Sequence, residues 1–362
     1  MTGMTNYLKQ SIRTNGPMSI ASFMAECLMN PKYGYYQKKP VFGMAGDFIT
    51  APEISQMFGE IIGLWLMDAW GKMGSPNPVR LVEFGPGRGT LMQDIIRSLI
   101  LEPSLAEAAT VHFIEESAQL KKLQKKAVPI ATWHKDISDV PDGPVLLVAN
   151  EFFDALPIHQ FQRKDGVWYE KYVQLDKDDR LAFVLGPPSS KLAMLDKNLR
   201  NQSSDGIAEI SPATTSIMGD IANRIQTQGG VALIIDYGYD TTQMGDTLQA
   251  VKDHKFCDIL SNPGEVDLTA HVNFEHLLNI AHEATLKSYG PIGQGSFLMN
   301  LGLGIRASNL AKNKPQEETS SILSALKRLT SPEEMGTLFR VIAITSPNQT
   351  IPVAGFYGSK RT

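Results

Sequence analysis

Leu81-Val82-Glu83-Phe84-Gly85-Pro86-Gly87-Arg88-Gly89-Thr90 is the stretch from which the fold can be read. It opens as a short run with alternating aliphatic residues, turns through three glycines spaced G-x-G-x-G, and enters a segment where Leu91, Met92, Ile95, Ile96 and Leu99 recur at helical spacing. Strand, tight turn and amphipathic helix therefore follow one another, with one helix face left to pack on a sheet. Three more runs of the same kind lie downstream, Thr110 to Ile114, Val145 to Ala149 and Val231 to Ile235, each followed by an acidic residue. Runs this short and apolar suit strands covered on both faces, and the helical patterns between several of them predict an α/β fold with a doubly wound, Rossmann-like parallel sheet.

The glycine spacing and Glu83 narrow the ligand. A dinucleotide fingerprint reads G-x-G-x-x-G and seats a diphosphate on the helix N-terminus. Here the spacing is shorter, and Glu83 stands two residues before Gly85. A carboxylate repels a diphosphate but attracts a ligand carrying an ammonium and a sulfonium, such as S-adenosyl-L-methionine (SAM). Gly85, Gly87 and Gly89 let the backbone bend and let a ligand approach without a Cβ in the way. An NAD-dependent oxidoreductase is the competing enzyme class, disfavoured by the same two features.

Further residues extend the site. Glu115 ends the second strand, where a carboxylate can accept two ribose hydroxyls, and the neighbouring Glu116 reads as a solvated helix-start charge. Asp136 is a candidate acceptor for an adenine amino group or a turn cap. Asn150-Glu151-Phe152-Phe153-Asp154-Ala155-Leu156-Pro157 follows the third strand at the edge where open sheets bind substrates. Glu151 and Asp154, three residues apart, can hold a cationic or amine acceptor, with Asn150 and Phe153 as further substrate candidates. Asp236 follows the fourth strand, to line the site or cap a turn; His254 and His271 stand in polar loops as candidate contacts or surface groups. No metal site or catalytic triad is legible from the histidine spacing, the lack of G-x-S-x-G, or the two cysteines.

Composition bounds the remaining classes. The chain has 362 residues, 34 basic against 38 acidic, and a formal charge of −4, which argues against a phosphate-neutralising surface and so against nucleic acid as partner. Cys27 and Cys257 are too few for a disulfide framework. No window supplies about 18 consecutive apolar residues, so no membrane insertion is expected. Lys9 and Arg13 precede the first acidic residue, Glu26, in weak imitation of a transit peptide. The stretch before Gly16-Pro17 reads instead as a short helix of the fold, which points to a bacterial cytoplasm, with the mitochondrial matrix as alternative.

The organisation expected is a helical lid region over residues 1–75, a methyltransferase-type core from 76–157 and 229–300, an inserted hairpin and helical lobe at 158–228, and a region 301–362 completing the sheet edge. Within the lid, Thr50-Ala51-Pro52-Glu53 reads as a capping box ahead of a buried helix from Ile54 to Trp70. A helix is expected over Ser320 to Leu329, with terminal strand-like runs at Leu338 to Ala343 and Val353 to Phe356. The paired lysines at 121–122 and 125–126 read as a solvated helix face.

With these motifs in view, the sequence resembles the MidA family of SAM-dependent methyltransferases, whose mitochondrial members are complex I assembly-factor protein arginine methyltransferases. The resemblance rests on Gly16-Pro17, Pro31-Lys32-Tyr33-Gly34-Tyr35-Tyr36, the stretch from Gly46 to Ser55, Glu83 to Leu91, Asn150 to Pro157, Asp236-Tyr237-Gly238, and Asp267 to Phe274, in family order over nearly the whole chain. It implies a class I methyltransferase core with an extra lobe, SAM as cofactor, and a respiratory complex I subunit as protein substrate. It implies cofactor contacts at Glu83, Gly85, Gly87, Gly89 and Glu115, and at Asp136, with Thr50, Pro52 and Glu53 of a lid near the cofactor, and a substrate side at Glu151 and Asp154. The double-glutamate hairpin of better-known arginine methyltransferases is absent, so the guanidinium grip is expected from Glu151 with Asp154 or with Glu209. Methylation of another acceptor, and a non-catalytic SAM-binding assembly factor, remain the alternatives.

Overall fold

Val79–Phe84 (β1), Ala109–Ile114 (β2), Thr132–His134 (β3), Val145–Asn150 (β4), Gly230–Tyr239 (β5), Lys287–Gly293 (β6) and Phe339–Thr345 (β7) form the backbone of one eight-stranded sheet. Its order is β3-β2-β1-β4-β5-β7-β6, and Val272–Asn273 adds a short parallel pair at the end of β5. β1 to β5 are parallel, while β7 runs antiparallel to both β5 and β6. The computed structural model describes residues 3–37, 50–189, 191–252, 255–347 and 354–357; the Gly46 to Ile49 part of the lid motif, His254 and Val353 lie outside the described residues.

Successive strand residues serve opposite cores, as the period of two requires. Leu81, Val111, Leu146 and Leu233 pack with helices Gln56–Lys72 and Thr90–Ser98 on one face. Val82, Leu147 and Ile234 pack with Pro212–Gln228 and Phe274–Glu283 on the other. Both faces are thereby closed to water, which is why the interior strands carry apolar residues in unbroken runs.

Four local expectations are corrected. The Thr50 side chain makes no cap bond: Ala51–Ile54 is a single turn, and Ser55 caps the long helix Gln56–Lys72 by accepting the Met57 amide at 3.2 Å. Glu53 is drawn away from the capping role because Thr90 Oγ1 donates to its Oε1 at 2.7 Å. The C-terminal strand Phe339–Thr345 lies one place inside the sheet, and Lys287–Gly293 takes the edge; Ala354 and Gly355 form a turn rather than a strand. The segment after residue 158 is more than a hairpin. His159–Lys164, Val167–Leu175, Leu181–Pro188 and Gly206–Ile210 make a five-stranded sheet whose fifth strand, Met18–Ser19, comes from the N-terminal region and pairs antiparallel with Tyr172 and Val173. The early helix is Gly3–Asn15, and the helix expected near Ser320 spans Gln316–Thr330. Of the paired lysines, Lys122, Lys125 and Lys126 are exposed on Ala118–Ala127.

Candidate functional site

The parallel register brings the carboxyl ends of β1, β2, β4 and β5 to one edge, with Phe84 paired to Ile114 and Ala149, and Asn150 to Ile235. Glu83, Glu115, Glu151 and Asp236 therefore gather there from distant points of the chain. Two cavities open along this edge. One of about 370 Å³ is lined by Phe84, Ile114, Glu115, Leu120, Asp136, Ile137 and Phe152 among others. A tighter one of about 70 Å³ is lined by Thr50, Pro52, Glu53, Glu83, Asn150, Glu151, Asp154, Tyr237 and Asp267 among others. Tyr36, Gly85, Gly87 and Glu151 line both, so the two spaces meet around the glycine-rich turn.

That turn has the backbone its glycines allow. Gly85, Gly87 and Gly89 have φ of 58°, 52° and 85°. A Cβ on Gly85 would stand 2.8 Å from the Phe152 ring, so close approach as well as chain direction requires glycine there. Glu83 is 3% exposed, and its Oε2 is buried without a protein partner. Burial pushes its carboxyl up to about 8, because the charged form has lost its water. A buried acid with one oxygen left without a partner fits a cationic ligand group, and among the described residues five acidic side chains and one cation, Arg88, line the smaller space. Lid and turn are tied together by Glu53, whose Oε1 accepts from Thr90 and whose Oε2 lies 3.5 Å from Arg88.

In the larger cavity Glu115 is already engaged on both oxygens, accepting the Ser117 amide at 2.7 Å and Gln124 Nε2 at 3.0 Å. Each oxygen keeps a second lone pair for a ligand hydroxyl. Asp136 accepts the Ser138 amide at 2.8 Å as a cap and also lines this cavity. Glu116 is exposed but reaches the rim. Of the two phenylalanines of the acidic turn, Phe152 lines this cavity, edge-on to Phe84 at 5.2 Å, whereas Phe153 packs into the core. Phe153, a substrate candidate in the sequence, is thus turned into the core, because which of two adjacent side chains faces a cavity is set by the packing behind the turn.

The acidic turn is built under constraint. Glu151 adopts φ of 50°, a left-handed conformation uncommon for a residue with a Cβ. Its Oε1 accepts the Ala51 amide at 2.9 Å and Asn150 Nδ2 at 3.1 Å. Burial, with Asp154 nearby, pushes the Glu151 carboxyl up to about 7. Asp154 is raised mainly by burial, against the opposing influence of the Tyr237 hydroxyl. Asn150 Oδ1 is buried with no protein partner. Asp236 is fully buried, and both its oxygens are spent: Oδ2 accepts the amides of Phe152, Phe153 and Asp154 at 3.1, 2.9 and 3.3 Å, and Oδ1 that of Tyr237 at 2.9 Å. It ties down the turn rather than lining the cavity.

Glu209 and His271 are not brought to this place. Both line a third cavity, of about 300 Å³, behind the acidic turn. Glu209 is occupied by Gln160 Nε2 at 2.7 Å, by the Thr247 amide at 2.9 Å and by the Thr247 hydroxyl. Glu151 and Glu209 thus line different cavities, and Glu209 is bonded to Gln160 and Thr247. His271 instead sets its ring edge-on to Tyr237 at 5.5 Å. The residues overlooked by the sequence reading are Phe152, Tyr36, Tyr237 and Asp267; all four belonged to quoted motif stretches, but only the fold brings them together.

A parallel sheet of this order with an antiparallel penultimate strand, a glycine turn and acids at three strand ends defines a class I SAM-dependent methyltransferase. Residues 61–292 match a family described as putative S-adenosyl-L-methionine-dependent methyltransferases. The chain is 37% identical to the Drosophila melanogaster protein named protein arginine methyltransferase NDUFAF7 homolog, mitochondrial, over 98% of this chain and 88% of that one. It is 35% identical to Homo sapiens protein arginine methyltransferase NDUFAF7, mitochondrial, over 97% of this chain and 85% of that one. A Burkholderia thailandensis crystal structure, described as a likely methyl transferase bound to S-adenosyl-homocysteine, shares the fold with a TM-score of 0.85 at 23% identity, covering 99% and 95% of the two chains. The chain belongs to this methyltransferase family, and SAM is its cofactor.

Proposed function

We propose that this enzyme methylates a protein arginine, with a respiratory complex I subunit as acceptor, and so supports assembly of that complex. The cofactor's amino-acid end falls to Glu83 in the smaller cavity, and its ribose to Glu115 and its adenine to Asp136 in the larger one. Gly85, Gly87 and Gly89 give it backbone approach, and Thr50, Pro52 and Glu53 close over it. Bound SAM supplies an electrophilic methyl on a positively charged sulfur.

The acceptor chemistry falls to the chain's own residues. Glu151 and Asp154 grip the guanidinium, with Asn150 Oδ1 as a further acceptor for its N–H groups. Their carboxylates orient the nucleophilic nitrogen, hold positive charge beside the methyl donor and take up the proton the nitrogen sheds. Most of the acceleration comes from proximity in a closed, dry space. The observation that carries this reading is the set of carboxylates around the smaller cavity, which exceeds what a single cationic ligand needs. The names of the relatives support arginine as acceptor.

We place the reaction in the bacterial cytoplasm or, as the word mitochondrial in the relatives' names favours, in the mitochondrial matrix. Among the described residues no helix is long and apolar enough to cross a membrane. Mass spectrometry of complex I subunits from cells with and without this protein tests the proposal. An arginine methylated only when the protein is present is the expected result, and identical methylation in both removes the acceptor assignment.

A further inference from the structure

Two motif stretches remain without a role in the chemistry so far: Tyr33-Gly34-Tyr35-Tyr36 and Asp267-Leu268-Thr269. They meet over the site. Tyr36 Oη donates to Asp267 Oδ1 at 3.3 Å across 231 residues of sequence, and Tyr36 is one of the few residues lining both cavities. Its backbone carbonyl accepts Ser117 Oγ at 2.9 Å, and the Ser117 amide is held in turn by Glu115. Three hydrogen bonds, joined through the covalent frames of Ser117 and Tyr36, therefore link Glu115 in the larger cavity to Asp267 in the smaller one. The local fold enforces it. A Cβ on Gly34 would stand 2.6 Å from the Asn30 amide, so the chain can fold tightly enough to present the short helix Tyr35–Gln37 to the site only with glycine there. Tyr35 is buried and sets its ring edge-on to Tyr36 at 5.3 Å. Burial and the nearby Asp267 and Asp154 keep the Tyr36 phenol protonated and hence a donor.

We infer that Tyr36, hydrogen-bonded to Asp267, is a positioning residue that couples the ribose end of the cofactor site, in the larger cavity, to the acceptor side of the smaller one, so that a ligand on Glu115 sets that side to receive a guanidinium. This rests on the arginine reading above. A ligand touching Glu115 moves or locks the Ser117 loop. The Tyr36 carbonyl follows, and its phenol then holds Asp267 where it faces the acceptor. Linkage makes the effect reciprocal.

Calorimetry with S-adenosylhomocysteine and an alkylguanidinium as probes tests this. Saturating S-adenosylhomocysteine is expected to tighten alkylguanidinium binding to the wild-type protein by about tenfold, within the usual range of intersite coupling. Tyr36→Phe keeps the ring and its packing and is expected to reduce that coupling to less than about twofold. Asp267→Asn, which leaves the phenol in place, is expected to weaken it as well. A purely structural role would change affinities without changing their ratio. Binding of both probes without coupling in the wild type, or full coupling in Tyr36→Phe, overturns the inference while leaving the arginine reading intact. Failure of the alkylguanidinium to bind the S-adenosylhomocysteine-loaded wild type overturns both.

Discussion

The main-chain amide of Ala51 donates to the Glu151 carboxylate at 2.9 Å, a hydrogen bond spanning 100 residues of sequence that fastens the helical turn of the lid motif to the acidic turn. Glu151 is thus fixed from outside its own strand, and its left-handed backbone is held against the strain of that conformation. Lid and acceptor turn form one mechanical unit.

Glu151→Gln keeps an oxygen for the Ala51 and Asn150 donors but removes the charge. Cofactor affinity is expected to stay within about threefold of wild type, while methyl transfer falls by about a hundred- to ten-thousand-fold, the usual span for a positioned acid or base. Single-turnover methylation alongside S-adenosylhomocysteine titration checks this. Unchanged turnover removes Glu151 from the mechanism.

The pH dependence follows from the same turn. With its carboxyl pushed up to about 7, Glu151 is protonated in mildly acidic solution and cannot hold a cation. Turnover is expected to rise with pH through about 7 and to level off above it, and Glu151→Gln should flatten that limb of the profile. A wild-type rate that is constant from pH 6 to 8 contradicts the assignment.

Glu83 gives a second, separable pH effect. Its carboxyl is raised to about 8 by burial, so the ligand-free protein carries a proton there at neutral pH and releases it when a cation binds. Affinity for S-adenosylhomocysteine is expected to rise about tenfold per pH unit below 8, the linkage slope for one released proton. For stability the sign is opposite. A carboxyl raised in the folded state contributes stability that is complete below its unfolded value and is lost as pH rises through about 8, so the ligand-free melting temperature should fall over that window. Glu83→Gln should bind weakly without the affinity slope, and its stability slope should shrink to the part that the other raised carboxyls, Glu151 among them, contribute.

Gly85→Ala places a methyl 2.8 Å from the Phe152 ring at φ of 58°. The conformational strain alone is worth about 1–3 kcal/mol. A lower melting temperature and loss of cofactor binding are expected. Adding Phe152→Ala relieves the clash but not the strain, so the double variant should recover only part of the stability.

Asp236→Asn exchanges an acceptor of four amides for a group that presents N–H to some of them. With the residue fully buried, a loss of about 2–4 kcal/mol is expected from the orphaned donors. Because Asp236 orders the turn that carries Asp154, turnover should fall even at temperatures where the variant is folded.

Much of this architecture was legible in the chain because local physics determines it. The four apolar runs became β1, β2, β4 and β5, since strands buried on both faces admit little else. The glycine spacing marked a tight bend, since a positive φ is a local property of the backbone, while the burial of Glu83 beside it came with the fold. The capping box failed because Thr90 offered Glu53 a partner 37 residues away, which no local pattern contains. Phe153 was preferred to Phe152, and Glu209 was joined to Glu151, for the same reason: which side of a turn or a lobe faces a cavity depends on what packs behind it.

The sequence by itself determined the sheet, the glycine-lined bend and the acids at the strand ends, because hydrophobic period and backbone freedom act over a few residues. Only the tertiary structure decided which acids remain open to a ligand, that Asp236 is consumed in holding a turn, and that Tyr36 and Asp267 meet. Those outcomes depend on desolvation and hydrogen bonding between segments up to 231 residues apart.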